Sequence, residues 1–370
     1  MDASHERTNP TPDEHASGID AIGRLKVDSV GELIAALPAM LGFVPARSVV
    51  MALLTSTPDR TPARRTIETV IRVDLDTVTE PVSAQQLVSM LKSICRREEV
   101  TATMAVIVDD RPDAAAAAHR AVKYLCGSTI RLAHAWLVPT VTVGAEYRGL
   151  LENDRDGIVE DPCASPVAFA QVLDGIQIRG SRAELVDLLT PDPDLTARVE
   201  HLIGPAVKYY RDELAAAATE DRGNIYQRAA AESVLAQVAA VDESGCTPKD
   251  LATVIAVLRD RTIRDVMFGL AGTRFGPAAQ ILWHQVARAS SGGDRAEAAI
   301  LCGYDAYHRG DGVHAGICIE AALRADPAHP IAVLLDAALR GGIRPDRIGK
   351  LAETGRAVAT DLGIDLTGTG

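Results

Sequence analysis

The feature that most constrains this chain is a change of periodicity half-way along it. Up to residue 189, short apolar runs alternate with helical spacing. Beyond the proline-rich segment 190–194 (TPDPD), only helical spacing recurs. Residues 48–54 (SVVMALL) are an apolar run bounded by turn residues, as a buried strand would be. Residues 66–75 alternate and read as a second strand, 103–108 (TMAVIV) as a third and 130–138 as a fourth. Residues 140–143 are a candidate fifth strand and 176–178 a candidate edge strand. Between them, residues 82–97 place Leu87, Leu91 and Ile94 on one helical face, and 113–126 form an alanine-rich helix with Gly127 as its cap. Strands alternating with such helices predict an α/β N-terminal domain with a mainly parallel sheet.

The flanking segments are read from caps and breakers. Residues 1–25 are polar and proline-containing and predict a disordered tail. Val30, Leu33, Ile34, Leu37 and Leu41 recur at helical spacing after Asp28 or Ser29, with Pro38 expected to bend or end that helix. Residues 145–164 read as loop. Ser165 with Pro166 starts a short helix, and Ser181 with Glu184 forms a capping box opening another to 189. The expected organisation is a tail (1–25), an α/β domain (26–190) and an all-α helical domain (191–370).

In the second half, helices are expected at 195–219, broken near Gly204-Pro205, then 225–241, 248–259, 262–270, 277–289, 295–308, 313–325 and 330–340. Residues 295–327 fit a TPR-like helical hairpin. Gly303 takes the small position of its first helix and Gly310 the turn. Ala315, Ile319 and Ala322 fill packing positions, and Pro327 ends it. Ala299 stands where such units carry a large aromatic. The hairpin is read either as a protein-docking groove or as ordinary packing.

Charge and cysteine usage narrow the function classes. The formal net charge is −12 and aromatics are 4 % of residues. No nucleic-acid partner is expected from so acidic a surface with so few stacking platforms. Arg60, Arg64 and Arg65 lie in a loop, and Arg96-Arg97 are offset by Glu98-Glu99. The six cysteines include no CxxC pair, as in a reducing compartment. The N-terminus has no apolar signal region, and no apolar run approaches the ~18 residues of a span. A cytoplasmic address without membrane contact is expected.

Four stretches carry a family resemblance: residues 28–50 (DSVGELIAALPAMLGFVPARSVV), Asp161 through Ala168 leading into 181–185 (SRAEL), 260–265 (DRTIRD), and the hairpin ending at Asp326-Pro327. Together they resemble the actinobacterial family called domain of unknown function 4192. The chain departs from that pattern around Tyr147-Arg148-Gly149, where Cys163 stands without a second nearby cysteine. The resemblance implies a fold and a taxonomic range, and no activity.

Candidate chemistry is sparse. Asp109 and Asp110 follow the third strand directly, at the edge where open α/β sheets bind ligands. Arg148 beyond the last strand is a candidate clamp for a phosphate or carboxylate, as is Arg72 beside Asp74. Phosphate loops, dinucleotide fingerprints and serine elbows are missing from the sequence. Cys302, His308, His314 and Cys318 invite a zinc reading. Their spacing matches no usual framework, so no metal ligand set is assigned and no cofactor is expected. Asp260-Arg261 and Arg264-Asp265 place opposite charges at three- and four-residue spacing on a helix and read as a local ion-pair face. The favoured function is a non-enzymatic interaction or regulatory protein whose helical domain docks a protein partner. The alternative is an enzyme or small-molecule binder with its site at Asp109, Asp110 and Arg148. Oligomeric state is left open.

Overall fold

A computed structural model describes residues 29–56, 65–126, 131–173, 177–241 and 245–366. The expected tail (1–25), Arg60, Arg64 and the cap at Gly127 lie outside the described residues. Helix α1 (Val30–Leu41) starts where Ser29 accepts from the Glu32 N–H and ends at Gly42, whose φ of 76° closes the last turn. Pro38 lies inside it and does not end it. Proline forfeits one backbone bond to Ile34, but nearly every side chain of α1 is buried, and that packing holds the helix through the gap.

Six strands form one sheet in the order β2-β1-β3-β4-β5-β6. They are β1 (Ser48–Ser56), β2 (Arg65–Asp74), β3 (Ala102–Val108), β4 (Leu132–Val138), β5 (Glu146–Gly149) and β6 (Gly157–Ile158). Between β2 and β3 the chain forms α2 (Leu75–Thr79) and α3 (Pro81–Arg97), and between β3 and β4 it forms α4 (Ala114–Cys126). The sheet is mixed and mostly antiparallel, which corrects the mainly parallel expectation: only β3 and β4 pair in parallel. The reason is where β1 sits. Strands β2 and β3 run the same way and are joined by helices, as the alternation suggests. However, β1 inserts between them and pairs antiparallel with both. The helix–strand rhythm records direction and cannot record this insertion.

Other expectations shift locally. Residues 140–143 form a turn, and the next strand is β5, inside the stretch expected to be loop. The expected edge strand at 176–178 reduces to one parallel bridge from Phe43 to Arg179, with residue 176 outside the described residues. A 3-10 turn (Pro162–Ala164) then leads into α5 (Pro166–Leu173), and α6 (Arg182–Asp187) starts at the expected Ser181 cap.

Both faces of the sheet are covered, which explains the unbroken apolar runs of β1 and β3. Val49, Met51, Ala105, Ile107 and Ala135 pack with Leu87 and Leu91 of α3 and Ala117, Ala118 and Ala121 of α4. On the other face, Val50, Val106, Val108, Trp136 and Val138 join Leu33, Ile34, Leu37 and Leu41 of α1. That cluster continues without a break into the helices of the second half.

The second half holds α7 (Pro193–Thr219), α8 (Gly223–Ala240), α9 (Pro248–Leu258), α10 (Arg261–Phe268), α11 (Gly276–Arg288), α12 (Gly292–His308), α13 (Gly312–Ala325), α14 (Pro330–Arg340), α15 (Pro345–Ile348) and α16 (Lys350–Asp361). Helix α7 runs straight through Gly204-Pro205 where a break was expected. Helices α15 and α16 lie beyond the last expected helix. The small face of α16 lets it press on α10: a Cβ at Gly355 would stand 2.3 Å from the Asp265 carbonyl oxygen. Arg97 and Glu98 are not merely solvated charge. Arg97 donates to the Gly341 and Gly342 carbonyls, and Glu98 accepts from Arg344 at 2.5 Å, tying α3 to the loop after α14. Among the described residues, no helix is long and apolar enough to cross a membrane.

Candidate metal centre

Helices α11, α12 and α13 pack side by side, and their contact contains four polar side chains in an apolar interior. His284 comes from the middle of α11 and Cys302 from the middle of α12. His314 and Cys318 both come from α13, four residues apart, so one helical turn stacks them on the same face. Asp311 accepts from the His314 N–H at 2.9 Å, starting α13 so that His314 falls in its first turn. Gly310, with φ of 84°, makes the tight turn that brings α13 back along α12. The absent side chain at Gly303 lets the two helices close: a Cβ there would lie 2.9 Å from Cys318 Cβ.

The donor atoms converge. His284 Nε2 lies 3.2 Å from Cys302 Sγ and 3.2 Å from His314 Nε2. Cys302 Sγ lies 3.9 Å from His314 Nε2 and 3.4 Å from Cys318 Sγ. All four ligand atoms fall within 4.8 Å of one another. A tetrahedral zinc ion, with bonds of about 2.3 Å to sulfur and 2.0–2.1 Å to nitrogen, spaces its ligands about 3.8 Å (S to S), 3.6 Å (S to N) and 3.3 Å (N to N) apart. The four distances above match that figure to within half an ångström, and those from Cys318 Sγ to the two imidazoles stay within 4.8 Å. Cys302, Cys318 and His314 are buried and His284 is half-buried.

The electrostatics favour the ligand form of Cys302 and oppose it at Cys318 and His314. Burial alone would push the Cys302 thiol up. The S–H of Cys318 donating to it, with His284 and His314 alongside, holds it well below the ordinary thiol range. Cys318 moves the other way, raised by burial and by its bond to Cys302. Burial opposes the imidazolium of His314, yet Cys302 and Asp311 carry it above its usual value. Asp311 Oδ2 stands 3.9 Å from His314 Nδ1, an ion-pair contact longer than a hydrogen bond. Burial pushes Asp311 upward.

Three of the four residues weighed for zinc from sequence therefore meet here, and His308 does not. Its ring packs toward Gly272 and Tyr304 instead. His284, the fourth member, escaped sequence reasoning. It lies on a separate helix, with no local motif linking it to Cys302. The pair His314 and Cys318, at i and i+4 on one helix, was the available signal.

The sheet-edge candidates are placed differently. Asp109 is buried and held by Arg111, whose Nε and Nη2 reach its two oxygens at 2.8 and 3.0 Å while Nη1 reaches Asp76 at 3.0 Å. Asp110 is exposed. Arg148 is exposed on β5 opposite Leu137, so the whole of β4 stands between it and β3. Arg72 bonds Asp74 at 2.6 Å and the Ser48 hydroxyl at 2.9 Å. Asp260, expected to form an ion pair, caps α10 through the Thr262 N–H at 2.8 Å. It also accepts from the Tyr210 hydroxyl at 2.8 Å and Gln227 Nε2 at 2.9 Å. Arg264 bonds the adjacent Asp265, at 2.7 Å, and not a partner three or four residues away.

A family model described as "Domain of unknown function (DUF4192)" matches residues 31–346. The chain belongs to the DUF4192 family. The match takes in α1, the whole sheet and the hairpin, so all four members of the His–Cys cluster fall in the DUF4192 region. No curated protein and no solved structure matches the chain.

Proposed function

We propose that this DUF4192 chain is a metal-binding protein that holds one zinc-like divalent ion between His284, Cys302, His314 and Cys318. The observation that carries the reading is the donor geometry: two thiols and two imidazoles whose ligand atoms converge within 4.8 Å of one another between three helices. Two soft sulfurs with two nitrogens in tetrahedral array select zinc over magnesium or calcium, which prefer oxygen cages. Four protein ligands fill the coordination shell and leave no open position for substrate, which makes the ion structural. It fastens α11 to the α12–α13 hairpin. The helical half then serves as a rigid platform, in keeping with a non-enzymatic interaction or regulatory role. The engagement of Asp109 by Arg111 favours this over a site at the sheet edge.

Cobalt substitution tests the reading. The full chain, stripped of metal and titrated with Co²⁺, is expected to develop the thiolate-to-metal absorption of a tetrahedral sulfur-ligated site at one equivalent, and Cys318→Ser to lose it. A chain that takes up no Co²⁺, or binds it without thiolate absorption, contradicts the reading.

A further inference from the structure

Cys302 and Cys318 sit on neighbouring antiparallel helices with their sulfurs 3.4 Å apart. A disulfide needs about 2.05 Å, so the sulfurs must close by roughly 1.4 Å. Because Gly303 carries no side chain, the helices already approach closely beside the pair. Both thiols are fully buried, and His284 beside them on α11 is half-buried. The other described cysteines differ in setting: Cys163 is exposed, and Cys95 and Cys246 are half-buried.

We propose that Cys302 and Cys318 form a reversible thiol–disulfide pair, and that their oxidation by hydrogen peroxide expels the metal. The inference rests on the zinc reading for its metal step, while the thiol step stands on the sulfur geometry. The Cys302 thiolate attacks one peroxide oxygen. The S–O bond forms and the O–O bond breaks, and the departing hydroxide takes a proton to leave as water. Cys302 is then a sulfenic acid. The Cys318 sulfur attacks the Cys302 sulfur, the S–S bond forms, the S–O bond breaks, and a second water leaves. The two thiolates supply two electrons, and the peroxide with two protons becomes two waters. The disulfide keeps no thiolate for the ion, and two imidazoles alone cannot hold it at comparable affinity. A dithiol reductant returns both thiolates and restores the site.

The test uses the full chain carrying Cys163→Ser, which removes the exposed thiol. The zinc-loaded protein is treated with stoichiometric hydrogen peroxide. Zinc release is read with a chromophoric chelator and cysteine states by peptide mass spectrometry without reduction. The expected result is one zinc released per Cys302–Cys318 cross-link, with rebinding after reduction. Retention of zinc with both thiols intact overturns the proposal. So does zinc loss in which Cys302 proceeds to sulfinic acid without a cross-link. If the protein binds no zinc, the metal reading fails by itself, and the same treatment of the metal-free chain decides the thiol pair: a cross-link supports it and its absence overturns it.

Discussion

Replacing Gly303 with alanine separates two effects that ordinarily cancel. Gly to Ala inside a helix gains about 1 kcal/mol, because glycine loses more backbone freedom on folding. At Gly303 the new methyl lies 2.9 Å from Cys318 Cβ, 3.4 Å from Ile319 Cγ1 and 3.5 Å from the Ala315 carbonyl oxygen. Carbon atoms pack best at about 3.5–4.0 Å, so α13 must move away by roughly 0.6 Å or more. Overpacking of this kind costs about 1–3 kcal/mol. Gly293→Ala supplies the matched control: it lies in the first turn of the same helix, and a Cβ there meets nothing within 4 Å. The two variants should therefore differ by about 1–3 kcal/mol in urea unfolding with chelator present, Gly293→Ala being the more stable. With zinc added, Gly303→Ala should also bind the ion more weakly, since Cys318 moves away from Cys302. Equal unfolding midpoints for the two variants would refute the argument that the Gly303 gap sets the helix approach.

Three further outcomes follow from named contacts. Burial would raise the carboxyl of Asp260, but bonds from Gln227, Tyr210 and Thr262 hold it below its ordinary value. Its folded form is thus depressed. The stability it contributes is present above the unfolded value of about 3.9 and is lost as pH falls through the folded one. Asp260→Asn should flatten the acid limb of the stability–pH curve measured by urea unfolding, and an unchanged limb would count against the assignment. Arg111→Ala should lower the unfolding midpoint by stranding the buried Asp109, whereas Arg148→Ala, at an exposed position, should leave it unchanged; reversed effects would return attention to Arg148 as the anchored residue. Chelation should lower the thermal midpoint, since a ligand at a thousand times its dissociation constant stabilises by about 4 kcal/mol. Calorimetry before and after stripping the metal reads this directly.

What was legible in the sequence was local. The Ser29 and Ser181 caps, the apolar strands β1 and β3, and the hairpin turn at Gly310 all follow from neighbouring residues. Pairing across distance was not legible. Insertion of β1 between β2 and β3 leaves the helix–strand rhythm unchanged, so the sheet read as parallel. Pro38 carries a local cost that the burial of α1 overrides, and no short-range rule reports that packing. The metal cluster was half legible. His314 and Cys318 share one face by helical spacing alone, and Gly303 marks the close crossing that brings Cys302 to them. His284 joins only because α11 lies beside α12, a contact that leaves no trace in residue spacing. Asp109 was a ligand candidate from its place after β3, and its charge is engaged by an arginine two residues further on.

X-ray absorption at the zinc edge, on full-length protein purified without added chelator, tests the central claim most directly. One bound zinc with two sulfurs at about 2.3 Å and two nitrogens at about 2.0–2.1 Å is the predicted first shell. A metal-free protein, or a shell of oxygens alone, would contradict the account.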